Sequence, residues 1–165
     1  MERWSIDLSK ENFHFSAAHF LIFPDGSAER LHGHNYRVFV EIEARLSRFG
    51  LVMDFKVVKP VVREICDRLD EHWIVPGQHP VLRATAREDG TTEVRYGERT
   101  YSAPSADVLI LPLNNTSSEN LAGWFGRELL RILRERFPDV DVSSLRLAVE
   151  ETVGQRGVWR FDAAT

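Results

Sequence analysis

From Tyr36 to Ala44 the chain alternates: Tyr36, Val38, Val40, Ile42 and Ala44 hold one parity and Arg37, Glu41 and Glu43 the other, with Phe39 the apolar exception. A side-chain period of two makes this segment a half-buried strand, and whatever pairs with it must build a sheet with one apolar face. It is headed by Leu31-His32-Gly33-His34-Asn35. If the strand covers residues 34 to 46, its period puts His32 and His34 on one face with only a glycine between them. Two imidazoles so placed make half of a metal site. His19, in Phe15-Ser16-Ala17-Ala18-His19, supplies a third if its segment pairs as the neighbouring strand. Three neutral histidines with one open position are the pattern of catalytic zinc, whereas structural zinc sites are closed by four ligands and rich in cysteine. A His-x-His pair alone favours the plainer reading, polar residues at a loop-to-strand junction, and at this point both readings stand.

A chain of 165 residues is long enough for a single domain, residues 1 to 165, with a real core. A formal charge of -4 and a pI near 5.9 give no electrostatic reason to expect nucleic acid or an anionic membrane. A phosphorylated ligand would need a local cluster of Lys or Arg. Cys66 is the only cysteine, so a disulfide within the chain is impossible and a reducing cytoplasm is expected. Met1 to Asp7 lacks the apolar run of a signal peptide, and no window approaches the ~18 apolar residues of a membrane span.

Taken in order, residues 3 to 15 read as one strand ending in Phe13 and Phe15 around His14. His14 has the opposite parity to His19 and reads as a partly buried strand histidine, not a ligand. Pro24-Asp25-Gly26-Ser27 is a turn. Asp54 is a candidate N-cap, and Val58, Val61, Val62, Ile65 and Leu69 recur at helical spacing, predicting a helix from about 55 to 71. Pro60 either delays its start to Val58 or kinks its first turns. Cys66, beside the apolar face, reads as a small core residue. Asp70-Glu71-His72 reads as a charged helix end. A connection from 77 to 106 follows, with a small hairpin over 93 to 101 turning at Gly97-Glu98.

Val108 to Leu111 is a short apolar strand, and Asn114 to Asn120 offers N-caps for a second helix with Leu121, Trp124, Phe125, Leu129, Ile132 and Leu133 as its stripe. Leu145, Leu147 and Val149 alternate with Arg146, Ala148 and Glu150, which makes a strand with Glu150 on a solvated face; the last strand runs from Val158 to Phe161. The predicted fold is α+β: two helices on one face of a four-stranded antiparallel sheet, in the order β-β-α-α-β-β. The other face needs cover, which an oligomer supplies.

Phe15-Ser16-Ala17-Ala18-His19, Leu31 to Tyr36, Val52-Met53-Asp54-Phe55, Leu69-Asp70, Thr116 to Asn120 and Glu151-Thr152 fall in order along the chain. Together they resemble the 6-pyruvoyltetrahydropterin synthase and 6-carboxytetrahydropterin synthase family, from about residue 11 to 161 with the 77 to 106 insert unmatched. The resemblance implies the tunnelling fold (T-fold), with subunits joining their sheets into a barrel, commonly a hexamer of two trimers. It implies a Zn2+ ion on His19, His32 and His34, and a pterin held by Glu151 with Ser118 and Glu119 close by. One carboxylate can accept from the pterin amino group and the adjacent ring N–H, much as it accepts a guanidinium. The implied activity is a lyase acting on 7,8-dihydroneopterin triphosphate or a related reduced pterin, in the cytoplasm.

Two departures from the family pattern bear on catalysis. The family's usual base is a cysteine shortly before His-Gly-His, but position 28 is Ala28, and the protic residue there is Glu29, three before His32. A glutamate at that spacing resembles the branch that cleaves the pterin side chain to a 6-hydroxymethyl product. It serves as base if burial raises its pKa; otherwise it is a solvated loop glutamate. The usual Leu-Asp-His reads Leu69-Asp70-Glu71, with His72 one later. Glu29, Asp70 and His72 are therefore the catalytic candidates, and a homologue that binds zinc and pterin without catalysis is the rival.

Overall fold

The computed structural model describes residues 2–164. In chain order the elements are β1 (Ser5–Leu8), β2 (His14–His19), β3 (His32–Ala44), α1 (Phe55–Leu69), β4 (His72–Pro76), β5 (Arg83–Ala86), β6 (Thr91–Tyr96), β7 (Arg99–Pro104), β8 (Val108–Leu111), α2 (Ser118–Arg136), β9 (Val142–Thr152) and β10 (Gln155–Asp162).

The expected antiparallel core is present as β2-β3-β9-β10. Its inward residues, among them Phe15, Tyr36, Val38, Ile42, Leu145 and Leu147, pack under both helices. Here α1 contributes Val58, Val62, Ile65 and Leu69, and α2 contributes Leu121, Phe125, Leu129 and Leu133. Asp54 caps α1 by accepting the Lys56 N–H at 2.8 Å, and Ser117 caps α2 by accepting the Asn120 N–H at 3.3 Å. Pro60 lies inside α1 and does not delay its start.

The sheet itself is larger than four strands and is mixed. Seven strands form it, in the order β10-β9-β3-β2-β4-β8 with β1 also on β3. The first strand is broken. Leu8 pairs with Val40 and His14 with Arg37, while the Phe13 N–H turns back onto the Lys10 carbonyl. His14 is exposed, not partly buried.

The other addition comes from the end of α1, which stops at Leu69. Asp70 Oδ1 accepts the Ser16 N–H at 2.6 Å, and the Glu71 N–H donates to the Ser16 carbonyl at 2.7 Å. Glu71 takes a left-handed φ of 58° to make this reversal. His72 is consequently the first residue of β4, paired in parallel with Ala17, and not a helix-terminal residue. On β4, Ile74 faces the main core, whereas Trp73 and Val75 join Phe20, Ile22, Leu82 and Val94 in a second cluster. A strand buried on both sides shows no alternation, which is why His72–Pro76 is hard to read.

The second cluster lies under a separate three-stranded sheet, β5-β6-β7, formed by the insert. Its β6–β7 hairpin turns at Gly97-Glu98 as expected, and β5 adds a third strand. This small sheet covers the β4 end of the second face. Across β3, β9 and β10 that face carries charge: Glu150 is directly opposite Arg37 on one side and Arg156 on the other. Glu150 is not solvated. It is 3% exposed and accepts from Arg156 Nε at 2.8 Å and from the Gly154 N–H at 3.2 Å. Arg156 holds its carboxyl below the usual glutamate range. Among the described residues, no helix is long and apolar enough to cross a membrane.

Candidate active site

His19 and His32 are direct cross-strand partners in the β2–β3 register, and His34 sits two residues along from His32. Both β3 histidines share parity with Tyr36, so the histidine face continues the core face of the strand. One donor atom from each of His19, His32 and His34 lies within 4.8 Å of the others. The Nε2 atoms of His32 and His34 are 2.9 Å apart. Ligand nitrogens about 2.0–2.1 Å from a tetrahedral zinc stand roughly 3.3 Å from one another, so the cluster is already close to the required size.

The orientation of the rings fits a cation as well. His19 Nδ1 lies 3.0 Å from the Thr116 carbonyl and His32 Nδ1 lies 2.7 Å from the Arg30 carbonyl. A carbonyl can only accept, so each Nδ1 carries the proton and each Nε2 presents a lone pair inward. Burial of His19, which is 1% exposed, pushes its pKa down and keeps it neutral, as a ligand must be.

Glu151 and Tyr36 close the remaining side. Glu151 Oε1 is 3.2 Å from His19 Nε2 and 3.5 Å from His34 Nε2. Tyr36 Oη is 3.1 Å from His19 Nε2 and 3.4 Å from Glu151 Oε1. Burial, reinforced by the Glu151 charge, raises the Tyr36 pKa, so the phenol keeps its proton. With the His19 lone pair given to a cation, Glu151 is the acceptor for that proton. Tyr36 was not singled out from the sequence, although its parity with His32 and His34 is the signal that could have found it.

Glu29 stands at the rim, Oε2 3.9 Å from His32 Nε2, one third exposed. Both its backbone and its carboxylate are tied to β2's extension: the Glu29 N–H donates to the Leu21 carbonyl, and the Leu21 N–H donates to Glu29 Oε2, each at 3.0 Å. Asp70 is occupied by the Ser16 N–H and belongs to the strand junction. His72 donates from Nδ1 to the Asp70 carbonyl at 2.6 Å. It lines a cavity of about 500 Å³ with Ser16, Gly33, His34, Asn35 and Glu71. Cys66 is buried in the core and its thiol is pushed up to about 12 by burial, so it is no substitute for a catalytic thiol.

Ser118 and Glu119 open α2, with Ser118 Oγ 3.5 Å from Glu119 Oε2. The preceding Thr116 carbonyl is the one that orients His19, which ties the helix N-terminus to the histidine cluster. Gly157 on β10 lets this end of the helix come close: a Cβ there would stand 2.2 Å from the Glu119 nitrogen and the Ser118 carbonyl carbon.

A family model described as 6-pyruvoyl tetrahydropterin synthase matches residues 7–159. A putative 6-carboxy-5,6,7,8-tetrahydropterin synthase of Methanocaldococcus jannaschii is 34% identical over 147 residues, 88% of each chain. The 6-pyruvoyl tetrahydropterin synthase of Plasmodium vivax superposes with a TM-score of 0.91 at 26% identity, covering 99% of this chain and all of its own. Two further structures of the Plasmodium vivax protein are variants in which a glutamate, described as a catalytic residue, is replaced by alanine or by cysteine. The Plasmodium falciparum synthase, at 24% identity and a TM-score of 0.92, shares the fold.

Proposed function

The chain belongs to the 6-pyruvoyl tetrahydropterin synthase family, and on that premise we propose that it is a zinc-dependent pterin lyase whose general base is Glu29. The observation that carries this reading is the Glu29 carboxylate at the rim of the histidine cluster, 3.9 Å from His32 Nε2. No thiol is available there, because Cys66 is the only cysteine and is buried. The Plasmodium vivax neighbour, described with a catalytic glutamate, supports a carboxylate in this role.

The substrate is 7,8-dihydroneopterin triphosphate or a related reduced pterin with a hydroxylated side chain. Zinc bound by His19, His32 and His34 supplies Lewis-acid polarisation of substrate oxygen. Glu151 accepts from the pterin amino group and ring N–H once substrate displaces it from the imidazoles, with Ser118 and Glu119 bordering the ring. Leu21 N–H holds Glu29 Oε2, and the second oxygen takes the proton of the side chain's 2′-hydroxyl. The C1′–C2′ bond breaks, its electron pair passes into the ring C6=N5 imine, and Glu29 returns the proton to C1′. A two-carbon fragment leaves as an aldehyde and a 6-hydroxymethyl pterin remains. His72, on the cavity wall, is a substrate-contacting residue, and Asp70 fixes the strand that carries His19.

The working unit is a homo-oligomer of single-domain subunits, with a hexamer expected and the cytoplasm as its compartment. The sheet ends in two edge strands, β8 and β10, and bears a charged second face, both of which suit association with further copies. Incubating zinc-loaded protein with 7,8-dihydroneopterin triphosphate and separating the pterins by chromatography tests the reading. A 6-hydroxymethyl product is expected, with turnover lowered by about 10²- to 10⁴-fold in Glu29→Gln. A 6-pyruvoyl or 6-carboxy product would move the chain to the other branches of the family. Zinc-loaded protein that binds pterin without turnover would make it a non-catalytic homologue.

A further inference from the structure

The insert sheet bears three residues aimed at one loop. Arg99 and Tyr101 share parity on β7, and Tyr96 is the cross-strand partner of Arg99, so all three side chains leave the same face of the hairpin. Tyr101 anchors that face to the body of the protein, its ring 5.8 Å from Phe20 and 5.6 Å from Trp73 between centroids. Tyr96 Oη donates to the Gly26 carbonyl at 2.8 Å. Arg99 reaches two successive carbonyls, donating from Nη2 to Ala28 at 3.0 Å and from Nη1 to Glu29.

The Tyr96 and Arg99 contacts fall on the segment between β2 and β3 that holds Glu29. The next carbonyl, that of Arg30, is the acceptor for His32 Nδ1. Three consecutive carbonyls are thus committed, two to Arg99 and the third to a metal-ligand histidine. From its other side the segment is held by the Ile22–Ala28 bridge and the reciprocal Leu21–Glu29 hydrogen bonds. A loop with its backbone fixed from both sides has little freedom to carry the Glu29 carboxylate toward or away from His32.

The geometry points to Arg99 as the positioning residue for Glu29, and to the insert sheet as the clamp that sets the base against the metal centre. This rests on the reading of Glu29 as the base. Arg99 does not reach the substrate side of Glu29; it acts through the backbone alone. Its planar fork suits two adjacent carbonyls, which a lysine ammonium, as a point charge on a flexible stem, holds less well. Displacing a catalytic group by about an ångström can cost on the order of a hundredfold in rate, so the clamp is expected to appear in kcat and not in substrate binding.

The test compares wild type, Arg99→Ala, Arg99→Lys, Glu29→Gln and, as a control on the same hairpin, Arg95→Ala, whose side chain pairs with Glu93 away from the loop. Each full-length protein is zinc-loaded and assayed for kcat, KM and zinc content, and for hydrogen exchange in the peptide spanning residues 20–31. Arg99→Ala is expected to speed exchange in that peptide and to lower kcat by about tenfold to a hundredfold, with KM and zinc content kept. Arg99→Lys is expected to restore part of kcat, and Arg95→Ala all of it. Wild-type kcat and exchange in Arg99→Ala, alongside an inactive Glu29→Gln, overturns the clamp and leaves the base in place. Wild-type turnover in Glu29→Gln overturns the base itself and removes any catalytic meaning from the clamp. Faster exchange throughout the protein in Arg99→Ala would also overturn it, since the insert would then be a general stabiliser.

Discussion

Gly157→Ala is the substitution whose cost can be worked most directly from the geometry. The added Cβ would lie 2.2 Å from the Glu119 nitrogen and from the Ser118 carbonyl carbon, more than an ångström inside ordinary van der Waals contact. Both are backbone atoms in the first turn of α2, so no rotamer change relieves the clash. Either β10 or the helix end must move. One extra carbon forced into a packed interior costs typically about 1–3 kcal/mol, and a backbone-to-backbone clash belongs at the upper end. For a chain of this size, about 3 kcal/mol corresponds to a melting temperature lower by roughly 6–12 °C.

Gly154→Ala is the matched control. Gly154 has a φ of 84° with nothing within 4 Å of its added Cβ, so only backbone strain of about 1–2 kcal/mol is incurred. Thermal unfolding followed by circular dichroism, at one protein concentration, should therefore rank Gly157→Ala well below Gly154→Ala. Because the Thr116 carbonyl that orients His19 is carried just ahead of the displaced turn, zinc affinity should fall in Gly157→Ala alone. Equal melting temperatures for the two variants would refute the close approach of β10 and α2.

Two other predictions concern titratable groups. The Glu150 carboxyl is held below its usual range by Arg156, so its contribution to stability is present above the unfolded value near pH 4.3 and is lost as pH falls through the folded one. Urea unfolding from pH 7 down to pH 3 should show a shallower loss of stability in Glu150→Gln than in wild type; parallel curves would contradict the pairing. Cys66, its thiol pushed up to about 12 by burial, should resist iodoacetamide at pH 8 in native protein and react once unfolded, as read by mass spectrometry. Rapid alkylation of the folded protein would place Cys66 outside the core.

The sequence made legible what short-range periodicity encodes. β3, β9 and both helices follow from alternation or helical spacing, and parity alone puts His32, His34 and Tyr36 on one side of the sheet. The β6–β7 hairpin follows from its turn residues. What could not be read depends on pairing between distant segments. His72–Pro76 follows a helix and is apolar toward both neighbouring layers, so nothing local marks it as a strand. Glu150 looks like a solvated strand residue until Arg37 and Arg156 are brought opposite it. Nothing near Asp70 in the chain shows that its Oδ1 accepts the N–H of Ser16, 54 positions earlier. The insert's role was hidden for the same reason, since Arg99 meets carbonyls 70 and 71 positions away.

The central claim is that His19, His32 and His34 form one metal centre, and metal content tests it most directly. Protein stripped with a chelator, reloaded with zinc and desalted should carry one zinc per chain by atomic emission. His19→Ala, His32→Ala and His34→Ala, each shown to be folded, should each fall well below that ratio. One zinc per chain retained in any folded variant, or no zinc regained by wild type, would contradict the account.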